Sequence, residues 1–120
     1  MKPWREDYQK KVRGVPEALE AVHSGNRVAV GHAAGEPEPL VSEMVRQAGR
    51  LKNVEVVHMF SLYPCDYAKP EYAGIFRHNS LFVSAGVREA VNSGRADITP
   101  CFFSEIPRLF RDGLLPVDAA

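Results

Sequence analysis

Short apolar runs of five to eight residues, alternating with segments of helical spacing, constrain this chain more than any other feature. Val54-Glu55-Val56-Val57-His58-Met59-Phe60 is the clearest of them. Its nearly unbroken apolar character suits a strand in a sheet covered on both faces. Arg27-Val28-Ala29-Val30-Gly31 predicts a shorter buried strand, Leu81-Phe82-Val83-Ser84-Ala85 a third, and Ala96 to Phe103 a fourth.

Helical spacing fills the intervals. Residues 4–12 predict a short, mostly polar helix. Pro16 suits a first helical turn, where its missing N–H costs nothing. Ala18, Leu19, Ala21 and Val22 then form a face, and Gly25 is the stop. A helix starting near Pro37 or Pro39 presents Leu40, Val41, Met44, Val45 and Ala48 before Gly49 ends it. Val87 to Val91 predicts a short helix stopped at Gly94. Ser104 is an N-cap for a last helix reaching Arg111, with Pro107 in its first turn and Gly113 at its end. Residues 61–80 carry Tyr63, Pro64, Tyr67, Pro70 and Tyr72 with little periodicity and predict a long connection.

Strand–helix alternation of this kind predicts an α/β fold, a mostly parallel sheet flanked by helices. There is no internal repeat, linker or low-complexity stretch. The chain stops two residues after Leu114-Leu115-Pro116-Val117-Asp118, where a further extended segment begins. A terminal strand needs pairing to be stable. Residues 1–120 therefore predict one domain, cut short.

With 15 basic and 15 acidic side chains the net charge is zero, so no long-range field draws in nucleic acid or an anionic membrane. No apolar run approaches the roughly 20 residues of a membrane span. The polar N-terminus has no signal-peptide core, which predicts a cytoplasmic protein. Cys65 and Cys101 have no metal-ligand spacing and are expected as free thiols, Cys101 in the core and Cys65 more exposed.

The best site candidate is the loop Gly31-His32-Ala33-Ala34-Gly35-Glu36-Pro37. It follows a strand and precedes a helix, the crevice position where open α/β sheets bind ligands. Gly31 and Gly35 permit close backbone approach, and the helix N-terminus can face a carboxylate or phosphate. The bland alternative is a tight strand–helix turn. His58 and His78 are expected as buried, hydrogen-bonded structural histidines, and Tyr63, Tyr67 and Tyr72 as packing for their own connection. Arg77, Arg88, Arg95, Arg108 and Arg111 could meet phosphates, but Arg88-Glu89 and Arg111-Asp112 offer local ion pairs instead. Four scattered histidines give no metal spacing.

Three stretches carry a resemblance: Gly25 to Leu40; Tyr72 to Ser80, with Phe76-Arg77-His78-Asn79-Ser80; and Arg88-Glu89-Ala90-Val91, Gly94-Arg95-Ala96-Asp97, Pro100, Ser104-Glu105-Ile106-Pro107 and Asp112-Gly113. In that order they resemble the N-terminal region of the acetyl-CoA hydrolase/transferase family, most of all its 4-hydroxybutyrate CoA-transferase members. The resemblance implies the N-terminal part of an enzyme several-fold longer, built from two similar α/β domains with the active site between them. It implies transfer of coenzyme A from an acyl-CoA to a carboxylate such as acetate or 4-hydroxybutyrate. The route is covalent, through an acyl-glutamyl anhydride and a glutamyl-CoA thioester.

The family's catalytic glutamate and glycine-rich CoA segments lie in the C-terminal half, so no residue here is assigned as catalytic. The coenzyme A thioester is substrate, and no bound cofactor is expected. Gly31, His32, Gly35, Glu36 and Pro37 are the expected substrate-binding positions. The expected partners are the missing C-terminal half or a second copy. Two alternatives remain open on the sequence: a stand-alone acyl-CoA- or partner-binding module, and an acyl-CoA hydrolase.

Overall fold

The computed structural model describes residues 3–120. Its elements are α1 (Pro3–Lys11), α2 (Val15–Ala18), β1 (Arg27–Ala29), α3 (Glu38–Arg46), β2 (Val54–His58), β3 (Phe76–Ser80), α4 (Arg88–Asn92), β4 (Ala96–Ile98) and α5 (Ile106–Arg111). Among the described residues the four strands form one sheet in the order β1-β2-β3-β4, and every neighbouring pair is parallel.

Strand alternation divides the sheet into two unlike faces. Val54 and Val56 of β2 and Phe76 of β3 point into the main core with Val28, and α3 covers them with Met44. Leu19, Val22, Tyr67 and Val87 complete that layer. The expectation of apolar cover on both sides fails on the second face, which carries a polar ladder. Arg27 Nε donates to Glu55 at 2.7 Å, Asn79 to Glu55 at 2.9 Å, and Thr99 to Asn79 at 2.9 Å. Arg77 clamps Asp97 with two bonds of 2.5 and 2.6 Å, which holds the Asp97 carboxyl below its ordinary range. Only near the C-terminal ends of the strands does this face turn apolar, where Val57, Leu81 and Leu115 meet Ile106 and Leu109 of α5.

The third strand lies at Phe76–Ser80, not at Leu81–Ala85. Its apolar content is a single phenylalanine, because its inward positions after Phe76 are His78 and Ser80. The connection from β2 is correspondingly shorter and is tightened by two 3-10 turns, Asp66–Ala68 and Pro70–Tyr72. Ser104 does not cap α5. It lies in a 3-10 turn, Phe103–Glu105, and the Glu105 carboxylate accepts the Phe102 N–H at 2.7 Å.

The segment after Leu114 makes one parallel bridge, Val28↔Ala119, instead of a strand. Asp118 accepts the Arg27 N–H there at 2.7 Å. The cysteine expectations reverse: Cys65 is buried and Cys101 half-buried. The arginine pairs also differ. Glu89 is bonded by Arg95 and Asp112 by Arg108, since partners six and four residues apart can meet where adjacent side chains point apart.

Candidate functional site

All four parallel strands end on one edge of the sheet, and the loops leaving that edge gather the site. From β1 the chain runs through Val30, Gly31 and His32 into a 3-10 turn, Ala33–Gly35, then Glu36 and Pro37, which precedes α3. Two backbone bonds stitch this loop to the next strand. Val30 N–H donates to Val57 O at 2.8 Å, and Ala33 N–H donates to Phe60 O at 2.8 Å. Ala33 accepts a left-handed φ of 50° to make the second bond.

The two loop glycines are not equivalent. A Cβ on Gly31 would stand 2.6 Å from the Gly35 carbonyl oxygen, whereas a Cβ on Gly35 would meet nothing within 4 Å. Gly31 is therefore required by close approach of backbone to backbone.

The structure brings Glu36 to Ser61. The Ser61 hydroxyl donates to the Glu36 carboxylate at 2.6 Å and accepts the Tyr63 N–H at 3.1 Å. Both side chains are buried, at 7% and 4% exposure. His32 and Gly35 face solvent and Pro37 is half-buried, so the five expected positions do not converge on one point. Beside them lies a groove of about 390 Å³ lined by Glu36, Glu38, Ser42, Tyr63 and Asp66. Glu36 and Glu38 at the start of α3, with Asp66 across the groove, oppose an anion there. The groove suits hydrogen-bond donors instead.

Sequence reasoning missed Ser61 and an aromatic row along the same edge. Phe60, Phe82 and Phe103 stand side by side, with ring centroids 5.7 and 6.1 Å apart and tilted planes. The available signal was positional: Phe60 and Phe82 each come two residues after the end of a strand.

Under this edge lies a buried polar cluster. His78 Nδ1 is 3.0 Å from Val56 O, which makes it the donor and leaves His78 Nε2 as an acceptor. His58 Nε2, 3.1 Å away, then carries the hydrogen, and His58 Nδ1 is left as a buried lone pair without a partner. The Tyr67 hydroxyl stands 3.4 Å from His58 Nε2. Burial, with the neighbouring His78 second, lowers His58 to about 3, and burial lowers His78 to about 4. Burial raises the Tyr67 hydroxyl and the Cys65 thiol. Both imidazoles are buried and hydrogen-bonded, as expected. Among the described residues no three His, Cys, Asp or Glu side chains are placed to hold a metal ion.

An open four-stranded parallel sheet with helices packed on it, its strand–helix loops gathered at one edge, defines the class: an α/β domain. Comparison with known proteins makes this particular. The Acetyl-CoA hydrolase/transferase N-terminal domain profile matches residues 1–120, and the chain belongs to that family. It is 44% identical over 117 residues to the 4-hydroxybutyrate coenzyme A transferase of Clostridium kluyveri, covering 98% of this chain and 27% of the relative. It is 35% identical over 117 residues to the succinyl-CoA:cyclohexane-1-carboxylate CoA transferase of Geobacter metallireducens, with coverages of 98% and 26%. The chain thus spans about a quarter of the length of these relatives.

Among solved structures, a 4-hydroxybutyrate CoA-transferase from Porphyromonas gingivalis superposes with a TM-score of 0.69 at 29% identity, over 95% of this chain and 24% of that one. RipA from Yersinia pestis superposes at 0.78 with 22% identity, over 92% and 28%, and shows the shared fold.

Proposed function

We propose that this domain forms one wall of the active-site cleft of a CoA-transferase, which moves coenzyme A between an acyl-CoA and a carboxylate such as acetate or 4-hydroxybutyrate. The observation that carries the reading is the 44% identity to a 4-hydroxybutyrate coenzyme A transferase, spread along nearly the whole chain. In this reading the residues of the chain bind and orient substrate and do not form the covalent bond. Gly31 lets the loop fold back on itself, so that His32 and Gly35 face the cleft. Glu36, held by Ser61, offers an acceptor to amide or hydroxyl groups of the substrate. The aromatic row excludes water from the thioester. The carboxylate that takes up CoA belongs to the C-terminal part, and the setting is the cytoplasm, with no bound cofactor.

A CoA-exchange assay tests this, with butyryl-CoA or acetyl-CoA as donor and acetate or 4-hydroxybutyrate as acceptor. We expect no transfer by the 120-residue chain and clear transfer by a polypeptide of the relatives' length that carries this domain. Turnover by the short chain alone would overturn the reading and make Glu36, Glu43 and Glu105 the nucleophiles to replace by alanine. Release of free CoA without any acceptor would mark a hydrolase.

A further inference from the structure

The first helix buries none of its side chains in the domain it is attached to. α1 has nine residues and no buried side chain. Apolar residues recur every fourth position, Trp4 and Tyr8 in α1 and Val12 directly after it, and so form one stripe. They are 59%, 58% and 47% exposed. The Val12 N–H still donates to Tyr8 O at 3.0 Å, so the helical hydrogen-bond pattern reaches the residue after α1.

A helix below about 12–15 residues is marginal in water without packing. Its own supports are few: Lys11 to Asp7 at 2.8 Å, and Arg13 donating to the carbonyls of Lys10 and Val12. A helix of this length, with two aromatics on one line, needs a surface. The molecule is also drawn out, with extents of 53 × 35 × 25 Å and a radius of gyration of 15.2 Å, against about 14 Å for a compact chain of its length.

We infer that α1 is a strap that docks this domain onto the C-terminal part of the same polypeptide, with Trp4, Tyr8 and Val12 entering an apolar groove there. Two observations select that occupant. The match to the Clostridium kluyveri relative covers 98% of this chain, so the relatives carry the α1 region, and it occupies only 27% of the relative. Since this chain matches the family's N-terminal domain, the larger part of the relatives' chain follows it. That part is tethered to α1 and meets it at high effective concentration. The receiving groove must also supply acceptors for the Trp4 indole N–H and the Tyr8 hydroxyl, since buried aromatics of these types keep a hydrogen bond. The polar side, with Arg5, Glu6, Asp7, Gln9, Lys10 and Lys11, stays in water.

Hydrogen exchange of the peptide spanning residues 3–12 tests the inference. It is measured in the 120-residue chain and in a polypeptide of the relatives' length carrying this domain. We expect exchange at least about 10-fold slower in the longer polypeptide, at every protein concentration. The pair Trp4→Ala and Tyr8→Ala removes that protection and leaves the melting temperature of the 120-residue chain unchanged. Equally fast exchange in both proteins would overturn the inference. So would protection in the 120-residue chain that disappears on dilution, because the occupant would then be a second copy, received in the apolar groove beside β1 between Leu19, Val22, Val28, Leu40 and Met44.

Discussion

Gly31 and Gly35 differ by a few ångströms of free space, and that difference decides what each position tolerates. Gly31→Ala forces a methyl to 2.6 Å from the Gly35 carbonyl oxygen, a backbone atom that cannot rotate away, with the Pro37 ring 3.6 Å off. We expect it to cost about 1–3 kcal/mol, the usual range for overpacking. Gly35→Ala meets open space and should stay within about 0.5 kcal/mol of the parent. Urea midpoints of the two variants, compared at equal slope, check the contrast. The reverse order would mean that the loop does not close on itself as described. Glu36 is the other residue whose surroundings matter more than its type. Its carboxylate is buried against a serine, and among the described residues no basic side chain bonds it.

Between elements, the contact that reports most is the imidazole pair joining β2 to β3. In the unfolded chain each histidine titrates near 6.5, while in the folded domain burial lowers them to about 3 and about 4. The unfolded state therefore binds more protons in the interval between, and stability rises with pH there. The contribution is complete above pH 6.5 and falls as the pH drops toward 4. Between pH 7 and pH 5 the loss reaches up to about 2 kcal/mol per imidazole. Urea unfolding at those two pH values measures it, and replacing both histidines with glutamine should flatten the profile. No pH dependence in the parent chain would mean that the pair is solvated.

The same pair explains where element assignment from sequence stops. β1, β2, β4 and α3 were legible because their inward positions are Val28, Val54, Val56, Ala96 and Met44, which a periodicity argument recognises. β3 was not, since Arg77 and Asn79 lie on the polar face and His78 is buried through bonds to Val56 O and His58 that no pattern encodes. The glycine loop and its place at a strand end were legible. Ser61 was not, because its partner lies 25 residues away.

For the whole molecule, net charge and exposed apolar surface act together. The chain has no net charge, and Phe102, Leu114, Leu62 and Phe103 are 77%, 67%, 63% and 60% exposed. Neutral proteins with such patches associate. Replacing Phe102 with lysine, beside Glu105, and Leu114 with glutamate should raise the concentration at which the domain self-associates. The melting temperature should barely move, because neither side chain is buried. Sedimentation velocity over a concentration series measures the first effect, and unchanged association would place the contact elsewhere.

The strand order has a consequence for how the domain is made. Each strand pairs with the one synthesised just before it, so a chain emerging from the ribosome can extend the sheet one strand at a time at its open edge. β1 gains its second neighbour only once residue 119 has been translated, when the Val28↔Ala119 bridge can form. Until then β1 is the edge that a folding helper or a neighbouring nascent chain would meet first.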